Sequence, residues 1–245
     1  MKILVCISKV PDTTAKIAFS SPNTYDENGV TFIINPYDEW YALVRALELK
    51  ETLGGSVTVV SVGGSDYEPI IRKALAIGAD DGVRIEAAES DAVAVATEIA
   101  EYAKAQSFDL ILCGKETIQY NGGMVPGMIA ATLNWPYAYG ASKLNVNGNA
   151  VELEREIATG VEVFHSNLPM VVSAAKGMAE QRIPNMRGIM AARTKPLNVM
   201  ASCGATPKTS VKQFEMPAPK TGCKMIAPEN AAELIHLLHE EAKVI

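Results

Sequence analysis

Along the first half of the chain, short apolar runs rich in Val and Ile alternate with stretches of helical periodicity. Few architectures accept that order. It predicts an α/β protein, with a parallel sheet covered by crossover helices. Strands are expected at Ile3–Ile7, Val57–Val62, Gly82–Ile85 and Leu110–Cys113. The first helix has the clearest start: Asn35 as N-cap, Pro36 at the first helical position, and Asp38 and Glu39 in the positive first turn. Its apolar stripe is Trp40, Leu43, Val44 and Leu47. A second helix fits Glu68 to Ile77, burying Ile71, Ala74 and Leu75, and Gly78-Ala79-Asp80 stops it. A third fits Ala92 to Ala105 with Ile99, Ala100 and Ala103 inside. A fourth begins at Gly123, shows Val125, Met128, Ile129 and Leu133, and ends at Asn134-Trp135-Pro136.

With 245 residues the chain can bury a full core, as one domain plus a tail or as two domains. No apolar run approaches the roughly 20 residues that cross a bilayer. The opening Met1–Ile7 imitates a signal peptide, but its apolar core is short and polar Ser8-Lys9 follows without a cleavage site, so it reads as a first buried strand. A net charge of −6 argues against a nucleic-acid partner. Cys6, Cys113, Cys203 and Cys223 show no metal-binding spacing, and His165, His236 and His239 have no ligand-forming neighbours. Reduced, structural thiols in the cytoplasm and no metal are expected.

In a sheet of this kind a ligand lies at the carboxyl ends of the strands. The loops Ser8–Thr14, Gly63–Asp66 and Gly114–Gly123 converge there, with Asn35–Tyr37 nearby. From Phe108 to Gly123 an apolar run ends in glycine, and the pair Gly122-Gly123 then opens a helix. Glycines at 114, 122 and 123 permit unusual backbone geometry and leave amides free to face an anion. An ordinary strand-to-helix turn is the other reading. The dinucleotide fingerprint and the P-loop are both absent, and a small adenine nucleotide suits the layout better than a metal.

After Pro136 the pattern changes. Lys143–Val146, Val151–Ile157, Glu162–Phe164 and Met170–Ala174 read as hairpins or an added antiparallel edge, with a turn at Asn145–Gly148. Gly177–Thr194 is rich in Met and Arg, notably Met178, Met186, Met190, Arg182, Arg187 and Arg193. Such a segment is either a surface that accepts several partners or a loose connection with solvated charges. Pro196–Pro228 holds five prolines and little periodicity, and a final helix near Glu229–Ala242 has Leu234, Ile235 and Leu238 to bury. The expected fold is therefore a doubly wound, mostly parallel Rossmann-like sheet with an antiparallel edge and an extended C-terminal arm. Residues 1–195 form the nucleotide-binding part and residues 196–245 the arm, which implies a partner subunit.

Five segments in order resemble the β subunit of electron transfer flavoprotein: Ile3–Asp12, Ile34–Glu39, Ala74–Asp80, Gly114–Ile118, and Glu154-Arg155-Glu156 followed by Leu168-Pro169. The resemblance runs nearly end to end. It implies a heterodimer in which the α subunit holds most of the FAD and this chain closes over the flavin's exposed side. Electrons enter from acyl-CoA or related dehydrogenases and leave to a membrane quinone oxidoreductase, as in fatty acid oxidation, and the chain has no catalytic residues of its own. The resemblance also implies one buried AMP. Positions matching the AMP site are Cys6, Asn35, Pro36, Tyr37, Asp38, Val62, Gly114 and the run Gln119, Tyr120, Asn121, Gly122, Gly123, Met124 and Val125. Thr13 and Tyr37 match positions beside the flavin, and Glu156 an acid that faces the α subunit and modulates its swing. Met186 matches the apolar anchor that docks into the dehydrogenase, with Arg182 and Arg187 placed to steer acidic partners. One departure concerns Gln119–Gly127, where the family commonly has acidic and polar residues, so AMP occupancy stays open and Tyr120 is large enough to fill part of the cavity. An electron-bifurcating relative with a second FAD in place of AMP is one alternative. A stand-alone nucleotide-binding regulator of the universal-stress type is another.

Overall fold

The computed structural model describes residues 1–88, 91–118, 120–219 and 222–245. The chain opens with β1 (Lys2–Cys6), then two short antiparallel pairs made by β2 (Val10–Pro11) with β5 (Phe32–Ile33) and β3 (Phe19–Ser21) with β4 (Thr24–Tyr25). It continues with α1 (Asp38–Leu53), β6 (Ser56–Val62), α2 (Glu68–Ile77), β7 (Asp81–Glu86), α3 (Ala92–Lys104), β8 (Leu110–Gly114) and α4 (Met124–Leu133). The second half holds β9 (Tyr137–Asn147), β10 (Ala150–Ile157), β11 (Gly160–Asn167), β12 (Met170–Ala174), α5 (Met186–Ala192), β13 (Leu197–Ala201) and α6 (Ala231–His236).

Nine of these strands, among the described residues, form one sheet in the order β11-β10-β9-β12-β8-β1-β6-β7-β13. From β9 to β13 every pairing is parallel, while β9, β10 and β11 form an antiparallel edge. Strands β1, β8 and β12 are mostly apolar without alternation because helices cover both faces. On β1, Ile3 and Val5 point into a core shared with α1 and α2, and Leu4 and Cys6 into a second core shared with α3 and α4. Ile3, Leu4 and Val5 are all fully buried. The chain leaves β1 for β6 and β7 on one side, then crosses back to β8 on the other, and the strand order reverses between β1 and β8. That reversal opens a crevice at the carboxyl ends of the two strands.

Three boundaries depart from the sequence expectation. The helix expected to be capped by Asn35 starts at Asp38, with Tyr37 at the cap position and no side-chain cap. Asn35 instead accepts the Tyr37 amide on its side chain at 3.3 Å and the Trp40 amide on its carbonyl at 3.2 Å, a turn that precedes the helix. Met170–Ala174, grouped with the hairpins, is an inner parallel strand between β8 and β9 with all five residues buried. Leu197–Ala201, placed in the arm, pairs with β7 as the last strand of the sheet. The Met- and Arg-rich segment contains α5, which packs on α2: Arg72 Nη1 donates to the carbonyls of Ala192 at 2.8 Å and Lys195 at 2.6 Å. Lys195 Nζ in turn donates to the carbonyls of Leu75 at 3.0 Å and Ala79 at 2.5 Å, satisfying the end of α2.

Candidate functional site

At the crevice lies a cavity of about 370 Å³, a size suited to a small organic ligand. Cys6, Ile7 and Ser8 enter it from the end of β1, Val62 from β6, and Cys113 and Gly114 from β8. The starts of α3 and α4 close its sides through Ala92, Val95, Ile99, Val125 and Pro126. Both helix starts carry partial positive charge. That of α4 has no side-chain cap, so its first amides are available to an anion.

The cavity's rim is fixed by the first turn of α1. Glu39, buried, accepts the Ser8 amide at 2.8 Å and the Ser8 hydroxyl at 2.6 Å, which pins the exit of β1. Asp38 accepts the Glu116 amide at 3.1 Å, and Asn35 Nδ2 donates to the Glu116 carbonyl at 2.8 Å, which pins the exit of β8. Burial pushes the Asp38 carboxyl above its usual range, against the hydrogen bond from Glu116 and the charge of Lys115. Thr117 then organises the following turn: its amide donates to the Gly122 carbonyl at 3.1 Å, and its hydroxyl and carbonyl accept the amides of Gly122 at 3.3 Å and Asn121 at 2.8 Å. The Cys113 thiol is pushed well up by its hydrogen bond to Cys6 and by burial, so it is a neutral wall of the cavity and not a nucleophile.

The structure thus separates the expected nucleotide residues into groups. Cys6, Val62, Gly114, Tyr120, Gly122 and Val125 line the cavity. Asn35 and Asp38 act one step back, through Glu116, and Pro36 and Tyr37 lie in the turn that carries them. Asn121, Gly123 and Met124 belong to the turn and the start of α4 without lining the cavity. Gln119 lies outside the described residues. The glycines act differently from the expectation. None of Gly114, Gly122 and Gly123 has positive φ, whereas Asn121 does at 48°. Gly114 is needed for close approach: a Cβ there would meet Glu39 Cγ at 2.8 Å and Asp38 Cβ at 3.1 Å. The Gly122 amide, expected to face an anion, is turned to Thr117.

Ser8 and Thr117, in loops expected at this end of the sheet, line the cavity, whereas sequence reasoning missed Glu39, Asp91 and the segment Thr209–Val211, which line it too. Asp91 had a readable signal, an acid one residue before a helix, and its side chain accepts the Ala94 amide at 2.8 Å as the N-cap of α3. Thr209–Val211 had none, being brought in from the arm. A second cavity, of about 480 Å³, adjoins the first at Tyr67 and Tyr120 and contains Thr13. Its floor includes Lys9, which is buried and held by Glu27 at 2.9 Å and Asp66 at 2.5 Å.

The electron transfer flavoprotein domain family matches residues 23–203. Over their full lengths the chain and the electron transfer flavoprotein subunit beta of Bacillus subtilis (strain 168) are 37% identical. With the subunit of the same name from Homo sapiens identity is 32%, across 100% of this chain and 99% of the relative. The chain belongs to the electron transfer flavoprotein β-subunit family. Members of that family are electron transfer proteins, and the mostly parallel sheet with its antiparallel edge agrees with this membership.

The residues matched to partner roles in the family lie apart from the cavity. Met186 is the first residue of α5 and is 73% exposed, with Ile183 and Met190 exposed beside it. Asn185 caps that helix by accepting the Gly188 amide at 2.9 Å. Arg187 is exposed, but Arg182 is held in a two-pronged pair with Glu51 at 2.6 and 3.1 Å, and its carbonyl accepts Trp40 Nε1 at 3.2 Å. Glu51 pushes the Arg182 guanidinium further up, so its charge is committed to tying the segment to α1. Glu156 is exposed on β10, opposite Val161. Tyr37 is 55% exposed at the mouth of α1. Among the described residues no helix is long and apolar enough to cross a membrane.

Proposed function

We propose that the chain is the β half of a heterodimeric electron transfer flavoprotein that binds one AMP and closes over an FAD held mainly by an α subunit. Electrons arrive from acyl-CoA or related dehydrogenases and leave to a quinone oxidoreductase, in the cytoplasm and at the membrane surface. FAD supplies the redox chemistry when bound, and the protein orients it, sets its potential and controls access.

The observation that carries this reading is the cavity at the strand-order reversal. Its apolar wall of Val62, Val95, Ile99 and Val125 suits a planar base, and the uncapped start of α4 suits a phosphate. Cys6, Gly114, Tyr120 and Gly122 contribute further wall, Asn35 and Asp38 hold the loop in place, and the start of α4 at Gly123–Val125 carries the phosphate end. Thr13 and Tyr37 face the flavin, Glu156 faces the α subunit, and Met186 with Arg187 forms the docking point for dehydrogenases. Residues 1–195 are the nucleotide-binding unit, and residues 196–245 the arm that reaches the α subunit, with β13 as its root in the sheet.

Co-purification with an α subunit, followed by denaturation and mass analysis of the released nucleotides, tests the proposal. One FAD and one AMP per heterodimer is the expected result. FAD without AMP removes the nucleotide role from the cavity. A second reading is favoured by the two cavities meeting at Tyr67 and Tyr120, which together offer space for a dinucleotide. Two FAD per heterodimer would place the chain in the bifurcating class. For docking, Met186→Ala is expected to slow electron uptake from a dehydrogenase several-fold while FAD stays bound, and an unchanged rate removes Met186 from the interface.

A further inference from the structure

The cavity is completed by a part of the chain that belongs to neither of its strand ends nor its helices. Residues 202–211, following β13, run along α3 and bring Thr209, Ser210 and Val211 to the cavity wall. Two carboxylates hold this strap, Asp91 at the N-cap of α3 and Glu98 within the helix. Glu98, 3% exposed, accepts the Ser202 hydroxyl at 2.5 Å and the amides of Cys203 at 2.8 Å and Ala205 at 3.1 Å. Asp91 divides its oxygens between two tasks. Oδ1 caps α3 at the Ala94 amide, and Oδ2 accepts the amides of Lys208 at 2.6 Å and Thr209 at 2.7 Å and the Thr209 hydroxyl at 3.2 Å.

All of these partners are donors, so only an acceptor can hold them. Buried charge such as that of Glu98 is retained at a desolvation cost unless several donors offset it. The Thr209 hydroxyl keeps its lone pairs after donating to Asp91, and among the described residues the Ser210 hydroxyl has no partner at all. A stretch held this firmly, ending in two hydroxyls at the edge of a cavity, is placed to meet the polar part of a ligand.

We propose that Thr209 and Ser210 bind the ribose-phosphate part of the nucleotide in this cavity, and that Asp91 is the positioning residue that presents them. This rests on the AMP reading above. It adds a wall of the site that comes from the C-terminal arm, and it links the nucleotide to the arm: whatever AMP gains from an ordered strap, the strap gains from bound AMP.

Asp91→Asn separates the two tasks of the aspartate. Asparagine still caps a helix through its side-chain oxygen, but it turns an amide NH₂ toward the Lys208 and Thr209 donors. AMP dissociation is measured on the purified heterodimer for wild type, Asp91→Asn, Ser210→Ala and the double variant, with the melting temperature of each nucleotide-free protein. Asp91→Asn is expected to release AMP about tenfold faster and Ser210→Ala about five-fold faster. The double variant should match Asp91→Asn alone, because Asp91 acts through the strap. Melting temperatures should stay within a few degrees. Wild-type release rates in both single variants, or effects that multiply in the double variant, would overturn the strap's role while leaving the AMP reading intact. A wild-type heterodimer that takes up no AMP at all overturns the AMP reading and this inference together.

Discussion

Gly114 illustrates how a residue can be picked out correctly from sequence and for an incomplete reason. A glycine between a strand and a helix suggests freedom of φ, but here the missing side chain lets the first turn of α1 sit directly on the end of β8. Gly114→Ala should therefore destabilise the protein by about 1–3 kcal/mol through overpacking, read as a shift of the urea unfolding midpoint. Asp91 and Asp38 show how placement sets charge. The amide of Ala94, with those of Lys208 and Thr209, holds the Asp91 carboxyl down at about 2. Its folded-state value lies below the unfolded one, so its contribution is present above about pH 4 and is lost as pH falls toward 2. Amide protection factors at Lys208 and Thr209 should fall over that window. Asp38 has the opposite sign: burial raises its carboxyl, the folded state binds the proton more readily, and this one group favours folding more as pH drops. A strap whose protection is flat between pH 5 and 2 would count against the Asp91 hydrogen bonds.

Among the elements, the docking of α5 onto α2 sets the position of Met186, the docking point proposed above. Arg72 and Lys195 between them satisfy carbonyls at the ends of both helices, and Gly188 lies so close to the Ala76 carbonyl that a Cβ would approach it to 2.3 Å. Arg72→Met should cost about 1.5–3 kcal/mol, the usual range for hydrogen bonds to a charged group, and should speed protease cleavage between Met178 and Leu197. The periodic elements of the first half were legible because sequence period and burial agree: α2 spans Glu68–Ile77 as its stripe predicts. The local pattern of strand β12 groups it with the hairpins because four apolar residues and Ser173 fit an edge or an interior alike. Its position is decided by the chain crossing back beside β8, a long-range pairing with no local signature. The start of α1 moved from Asn35 to Asp38 for a similar reason, since the Asn35 side chain is drawn to Glu116, 81 residues away.

For the whole molecule, the arm decides how much of the site one chain can build. Beyond β13 it follows α3 and returns across the first half, where the rings of Phe214 and Phe19 stack 4.9 Å apart. Removing residues 202–245 should therefore lower AMP retention in the heterodimer at least tenfold as well as weaken assembly, which nucleotide analysis and gel filtration of the truncated complex would separate. The amino-acid sequence by itself determined the doubly wound sheet, the helices of its first half and the end of the sheet where the cavity opens, because periodicity, glycine and proline act within a few residues. The family followed from motifs spread over nearly the whole length. Tertiary structure alone decided which groups meet in the crevice: Glu39 on Ser8, Asp38 and Asn35 on Glu116, and Thr209 with Ser210 beside Asp91. Those pairings join residues 31 to 118 positions apart, and no local pattern encodes them. They exist because the strand order reverses at β1 and β8, which brings distant loops to one place.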